Sequence, residues 1–263
     1  MLHVDPVLLH PKQAITRQQR RQLYSHPLVS ALLLERHHEY PKEVIRAVRE
    51  HHEVLDGSGY PGGLAGAAIS PWGRIVSLAQ VVAALAKPGR RHAELRLSVL
   101  LRTNRHRYDP ELVNRLLPLL KHTAEQEAEA APMELTVADP VARLTAIEKV
   151  LTSGPGPLAD ERLLNAHRRA ALAFIGDRSA DIHRSLVEAG AAPEQLASLD
   201  EATVSGLLAM ELSLICHELA WQLRAMQRQT LRRWAFGADE APPEALQRWV
   251  DAIDAACEGL IES

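Results

Sequence analysis

The feature that most constrains the fold is a run in which Leu208, Leu212, Ile215, Leu219, Leu223 and Met226 recur at steps of three and four. That period places all six on one face of an α-helix, and it is incompatible with the two-residue alternation of a half-buried strand. The helix is expected to run from about Glu201 to Phe236, with Asp200 as its cap and Gly237 as its stop. At ~1.5 Å per residue it spans on the order of 50 Å, a length that suits a helical bundle or a homodimer seam. Strand signals are nearly absent elsewhere. Aromatic residues make up only 4% of the chain, so Ala, Leu and Val must do the packing, which favours helix on helix. The chain is predicted to be all α.

The first half carries its own series of helix signals. Thr16 is a predicted N-cap, Pro27 stands in the first turn of a second helix, and Pro41 opens a third that should reach about Leu55. Further helices are predicted from Gly73 to Ala86, Arg91 to Asn104 and Pro110 to His122. The acidic, Ala-rich "TAEQEAEAAPMEL" and the breaker "TSGPGPLAD" predict a linker over 123–158 between a domain at 1–122 and a helical domain at 159–263. With 24% charged residues and a net charge of −3, nothing marks the chain as a nucleic-acid or anionic-membrane binder. No apolar run approaches the ~18–20 residues of a membrane span, and "MLHVDPVLLHPK" is no signal peptide. Cys216 and Cys257 lack the spacing of a zinc or redox motif and read as free thiols in a reducing cytoplasm. A soluble, cytoplasmic protein is expected.

The chemistry concentrates in "HHEVLDGSGYPGGLAG", residues 51–66. On a helical wheel continued from Pro41 to Leu55, His51 and His52 share a sector with Val44, Ile45 and Val48, while Arg46, Arg49, Glu50 and Glu53 point away. Neutral imidazole is a good ligand for first-row divalent metals. A lone histidine would read as a core residue bonded to a carbonyl, but an adjacent pair ahead of a glycine-rich turn favours a metal site. His37 and His38 read as a solvated helix end, and His92, His106 and His122, in basic, polar surroundings, as surface residues. His217-Glu218 reads as a partly buried pair just off the stripe of the long helix.

These residues resemble the HD-GYP family, bacterial metal-dependent phosphodiesterases of the HD superfamily that hydrolyse cyclic di-guanylate. The resemblance covers roughly residues 1–120. It rests on "HHEVLDGSGYPGGLAG" followed by "ISPWGRIVSLAQVVAAL", on "SHPLVSALLL", which resembles the family's His-Pro helix, and on the closing "YDPELVNRLL". It implies that His26, His51 and His52 are metal ligands for Fe, Mn or Mg. It also implies that Gly59, Tyr60 and Pro61 are the name-giving triplet on the substrate side, where a tyrosine can stack on a guanine. Asp56 is then a candidate to orient His52 from behind, although Asp-Gly is also an ordinary turn signal. The family's basic tail after the "ISPWGRIVSLAQVVAAL" helix is altered here to "KPGRRH", from which Arg90 or Arg91 would reach a phosphate, although exposed arginines after a helix usually contact only solvent.

Two departures from the family pattern count against full activity. The adjacent His-Asp pair that names the superfamily is missing, and "MLHVDPVLLHPKQAIT" resembles the segment that follows it. The pair is therefore expected upstream of Met1, in a chain shortened by gene model or by nature. Gln80, in "LAQVVAAL", occupies the slot of an aspartate ligand, and losing that charge weakens the hold on clustered cations. The expectation is a degenerate, catalytically impaired module that binds cyclic di-guanylate or regulates its signalling, with a protein partner or homodimer contact through the C-terminal helices. An active phosphodiesterase represented by a truncated chain, and an interaction protein working through residues 159–263, remain the alternatives.

Overall fold

The computed structural model describes residues 16–37, 39–85, 92–120, 137–157, 165–197, 206–234 and 242–260. Among these residues every regular element is helical, and the one β-type pairing is an isolated bridge between Asp56 and Ala65. The all-α expectation holds. No described helix is long and apolar enough to cross a membrane. The chain divides into two compact units.

The first unit holds α1 (Arg17–Tyr24), α2 (His26–Arg36), α3 (Lys42–Glu50), α4 (Pro71–Leu85), the start of α5 (Ala93–Thr103) and α6 (Pro110–Leu116). Thr16 caps α1 in a reciprocal arrangement: its hydroxyl accepts from the Gln19 amide, and the Gln19 side chain accepts from the Thr16 amide. Two orphan donors at the helix start are satisfied this way. A single residue, Ser25, separates α1 from α2, and Pro27 in the first turn of α2 needs no partner for the N–H it lacks. α3 packs against both α2 and α4. The start of α2 meets the end of α3 where His26 approaches His51, and Ser70, just ahead of α4, joins that end through Glu50.

The third helix is shorter than its sequence pattern suggests. It stops at Glu50, where the chain tightens and the Glu53 amide bonds back to the Glu50 carbonyl at 2.7 Å. His51 and His52 thus lie in the turn after the helix, not on its stripe. The inward face is also different from the wheel: Val44 is 43% exposed, whereas Ala47, Glu50 and Glu53 are buried.

The second unit comprises Leu95–Thr103 of α5 together with α7 (Pro140–Ser153), α8 (Ala166–Glu188), α9 (Pro193–Leu196), α10 (Gly206–Trp234) and α11 (Glu244–Ala256). Leu212, Ile215, Leu219, Leu223 and Met226 of the predicted stripe are buried in its core, with Leu144, Ile147, Ile182 and Leu186 around them. Each such side chain removed from water contributes about 1.5–3 kcal/mol, so the long helix is held by tertiary packing against α7, α8 and α11. Asp200, Phe236 and Gly237, the predicted limits of this helix, lie outside the described residues. The expected linker at 123–158 contains α7, capped by Asp139 on the Ala142 amide and buried through Leu144 and Ile147. Its composition hid a core helix because the polar residues flank it. Cys216 and Cys257 are free and buried, and burial raises their thiols to about 12 and about 11.

Candidate functional site

Three imidazoles converge where α2 begins and α3 ends. Nε2 of His26 lies 3.1 Å from Nε2 of His51 and 3.1 Å from Nε2 of His52. His26 is 4% exposed, and the three residues offer ligand atoms within 4.8 Å of one another. Backbone carbonyls set the outer edges: Nδ1 of His26 faces the Leu23 carbonyl at 2.7 Å, and Nδ1 of His51 faces that of Val48 at 2.5 Å. A carbonyl only accepts, so both Nδ1 atoms carry the proton and both Nε2 atoms present lone pairs inward. Burial, then the neighbouring charges of His51 and His26, hold the pKa of His52 down at about 3.

Two buried glutamates build the floor that turns the histidines inward. Glu50 Oε2 accepts from the Ser70 amide at 2.8 Å and the Ser70 hydroxyl at 2.5 Å, and Oε1 accepts from Arg46 Nε at 2.7 Å. Burial raises its pKa, but the Ser70 bonds and Arg46 outweigh that and leave it below the usual carboxylate range. Glu53 reaches across the glycine-rich loop and accepts from the amides of Gly62 at 2.5 Å and Leu64 at 2.9 Å. The sequence wheel placed both carboxylates outward. No local signal distinguishes them from surface glutamates, because the loop groups that bury them lie 9 to 20 residues downstream, and the Arg46–Glu50 pair looks like an ordinary helix-surface pair.

The loop presses directly on the histidine pair. A Cβ at Gly59 would lie 2.5 Å from the His52 carbonyl oxygen and 2.6 Å from Glu53 Cα, so only glycine fits there. This contact lays the Tyr60 ring on His52, with centroids 4.5 Å apart and planes 20° apart, and Tyr24 stacks on the other side of Tyr60 at 4.3 Å. The result is a three-ring pile whose buried end is the His52 imidazole. Burial, with Tyr24 adding to it, raises the Tyr60 pKa above the ordinary phenol value. The peptide bond between Tyr60 and Pro61 is cis.

Gln80, on α4, meets the cluster from the far side. Its Nε2 lies 2.6 Å from the His51 carbonyl oxygen and 2.8 Å from Nδ1 of His52. Asp56, expected behind His52, lies elsewhere: it accepts from the Ser58 amide and hydroxyl and faces His106 at 3.6 Å and Arg107 at 3.9 Å. His106 is accordingly a partly buried partner of Asp56 and not a surface group. Arg74, in the Arg-Ile motif, ties the far end of the loop to α6 through the Ile69 and Gly66 carbonyls and Asp109. Arg90 and Arg91 lie outside the described residues.

The donor set suits a divalent cation in part. Two cis imidazoles at ~2.1 Å from an octahedral ion stand about 3.0 Å apart, and about 3.4 Å around a tetrahedral one. The 3.1 Å separation of His26 and His51 falls at the octahedral end of that range. Among the described residues no carboxylate joins the group of histidines. Such a set fits one cation and lacks the anionic bridge that a pair of metals requires.

Residues 6–112 match the family model described as HD domain. Residues 6–112 are thus similar to HD domains, a match consistent with the resemblance to the HD-GYP family. A cyclic di-GMP phosphodiesterase of Vibrio cholerae is 32% identical over 124 residues, which cover 43% of this chain and 25% of the relative. A 3'3'-cGAMP-specific phosphodiesterase of the same organism is 45% identical over 56 residues, covering 21% of this chain and 13% of the relative. The chain thus spans a quarter or less of the length of these relatives. No solved structure matches.

Proposed function

We propose that this protein is a cyclic-dinucleotide-binding HD-GYP module with impaired hydrolysis, acting in regulation through ligand binding. The observation that carries the reading is the composition of the cluster: three imidazoles, no carboxylate among the described residues, and the amide of Gln80 where the family resemblance expects an aspartate. His26 and His51 are the residues to hold Fe, Mn or Mg, with His52 beside them. The metal, when bound, supplies positive charge against a phosphodiester. Gly59, Tyr60 and Pro61 form the ligand side, where the outer Tyr24–Tyr60 stack offers an aromatic surface to a purine. Arg90 and Arg91 are the candidate phosphate contacts.

Hydrolysis of a phosphodiester by a metal centre needs a nucleophile generated at neutral pH and charge compensation in the transition state. Neutral imidazoles bring no negative charge to hold two cations together, which is why impairment is proposed alongside binding. Calorimetric titration of cyclic di-GMP and 3'3'-cGAMP into residues 1–263 with Mn²⁺ tests the binding half. Saturable binding of either nucleotide is expected; no heat and no retention with either would refute it.

A further inference from the structure

The geometry around Gln80 carries a second conclusion, which goes deeper into the same three histidines. The orientation of the Gln80 amide is decided by the His51 carbonyl. A carbonyl oxygen can only accept, so at 2.6 Å it must be met by the amide NH₂ and not by the amide oxygen. The same nitrogen lies 2.8 Å from Nδ1 of His52. Its two hydrogens serve the two acceptors, one each, and Nδ1 of His52 is left as the acceptor. A neutral imidazole carries one proton, so the proton of His52 sits on Nε2, directed at Nε2 of His26 3.1 Å away.

His52 is therefore the reverse of its neighbours. His26 and His51 give Nδ1–H to carbonyls and turn lone pairs inward, while His52 turns an N–H inward. We infer that Gln80 is a positioning residue that fixes the His52 proton on Nε2, so that His52 offers no lone pair to a cation and its N–H rests on the single lone pair of His26 until a cation displaces it. A carboxylate at position 80 could not do this. It has no hydrogen to give, so it would draw the proton to Nδ1 and free Nε2 for coordination, as hydrogen-bonding partners of metal-bound histidines do. The replacement of an acid by an amide then costs the site two things at once: a charge, and the lone pair of the adjacent histidine.

Two readouts on the full chain test this without any nucleotide. Long-range ¹H–¹⁵N correlation of the histidine rings in metal-free protein is expected to show the proton of His52 on Nε2 and those of His26 and His51 on Nδ1. Gln80→Glu should move the His52 proton to Nδ1. Titration with Mn²⁺ or Zn²⁺ alone should show that His51→Ala lowers affinity by at least about tenfold, whereas His52→Ala lowers it by less than about threefold. A wild-type His52 protonated on Nδ1, or a loss with His52→Ala equal to that with His51→Ala, overturns the inference. The ring spectrum of the wild type decides even if a variant fails to fold. It also stands apart from the proposed function, whose failure would appear only in nucleotide binding.

Discussion

Gly73, in the first turn of α4, lies so close over the carboxylate of Glu50, at the end of α3, that a Cβ there would stand 2.5 Å from Oε2 and 2.9 Å from the Glu50 Cβ. The contact sets the approach of α4 to the turn that carries His51 and His52, and Gln80 follows Gly73 on the same helix two turns later. Glu50 is 3% exposed and cannot swing into solvent without abandoning Ser70. Gly73→Ala is expected to destabilise the first unit by about 1–3 kcal/mol, the usual cost of overpacking. A thermal melt that left the midpoint unchanged would show that the two helices separate more easily than this geometry implies.

Gly59→Ala should damage the site itself. The added methyl would meet backbone atoms of His52, Glu53 and Val54 at 2.5–2.7 Å, and none of these can rotate away. The loop must lift, taking Tyr60 off His52. Loss of the ring contact, read from the tyrosine near-ultraviolet signal, is expected together with a stability loss of about 1–3 kcal/mol. Gly63→Ala is the control: its φ of +63° strains any other residue, but its Cβ would meet nothing closer than 3.6 Å. It should cost about 1–2 kcal/mol and leave the stack intact.

Glu53→Gln replaces one of two accepting oxygens by a donor. The amides of Gly62 and Leu64 both need an acceptor, so one is left facing an NH₂ group. The expected cost is about 1–3 kcal/mol. Amide exchange at Gly62 and Leu64 should accelerate, while amides in α8 and α10 keep their protection. Uniform acceleration throughout the chain would mean that the glutamate supports the whole fold and not the loop.

Acid should loosen the loop's outer tie. Burial raises the pKa of Asp109, but the hydrogen bonds from Arg74 and from the Leu112 and Glu111 amides, with the Arg74 charge, outweigh it and lower the pKa below 3.8. A carboxyl depressed in the folded state stabilises fully above its unfolded value and loses that contribution as pH falls through the folded value. Stability should therefore drop below about pH 4, and Asp109→Asn, which keeps a cap on α6 but no charge, should flatten that part of the profile. An unchanged acid limb in the variant would remove Asp109 from the account.

The helical architecture was legible because burial in α10 depends on a stripe of period 3.6, which the residues spell out directly. The histidines and Gln80 were legible through family resemblance, and the structure brings those side chains within hydrogen-bonding distance. The wheel argument misled at Glu50 and Glu53 because it extended a helix past its true end, and because a glutamate that accepts from loop amides looks like a solvated one in sequence. α7 was missed although Val141, Leu144, Ile147, Val150 and Leu151 recur at helical spacing, because the acidic, Ala-rich run before it and the Gly-Pro breaker after it read as one continuous linker.

Chromatography of cyclic di-GMP after prolonged incubation with residues 1–263 and Mn²⁺, Fe²⁺ or Mg²⁺ tests the central claim most directly. The cluster of His26, His51 and His52, with no carboxylate among the described residues and with Gln80 against His52, predicts nucleotide recovered intact at the level of a no-protein control, and Gln80→Asp raising any residual turnover. Robust, metal-dependent conversion to the linear dinucleotide by the unaltered chain would contradict the account.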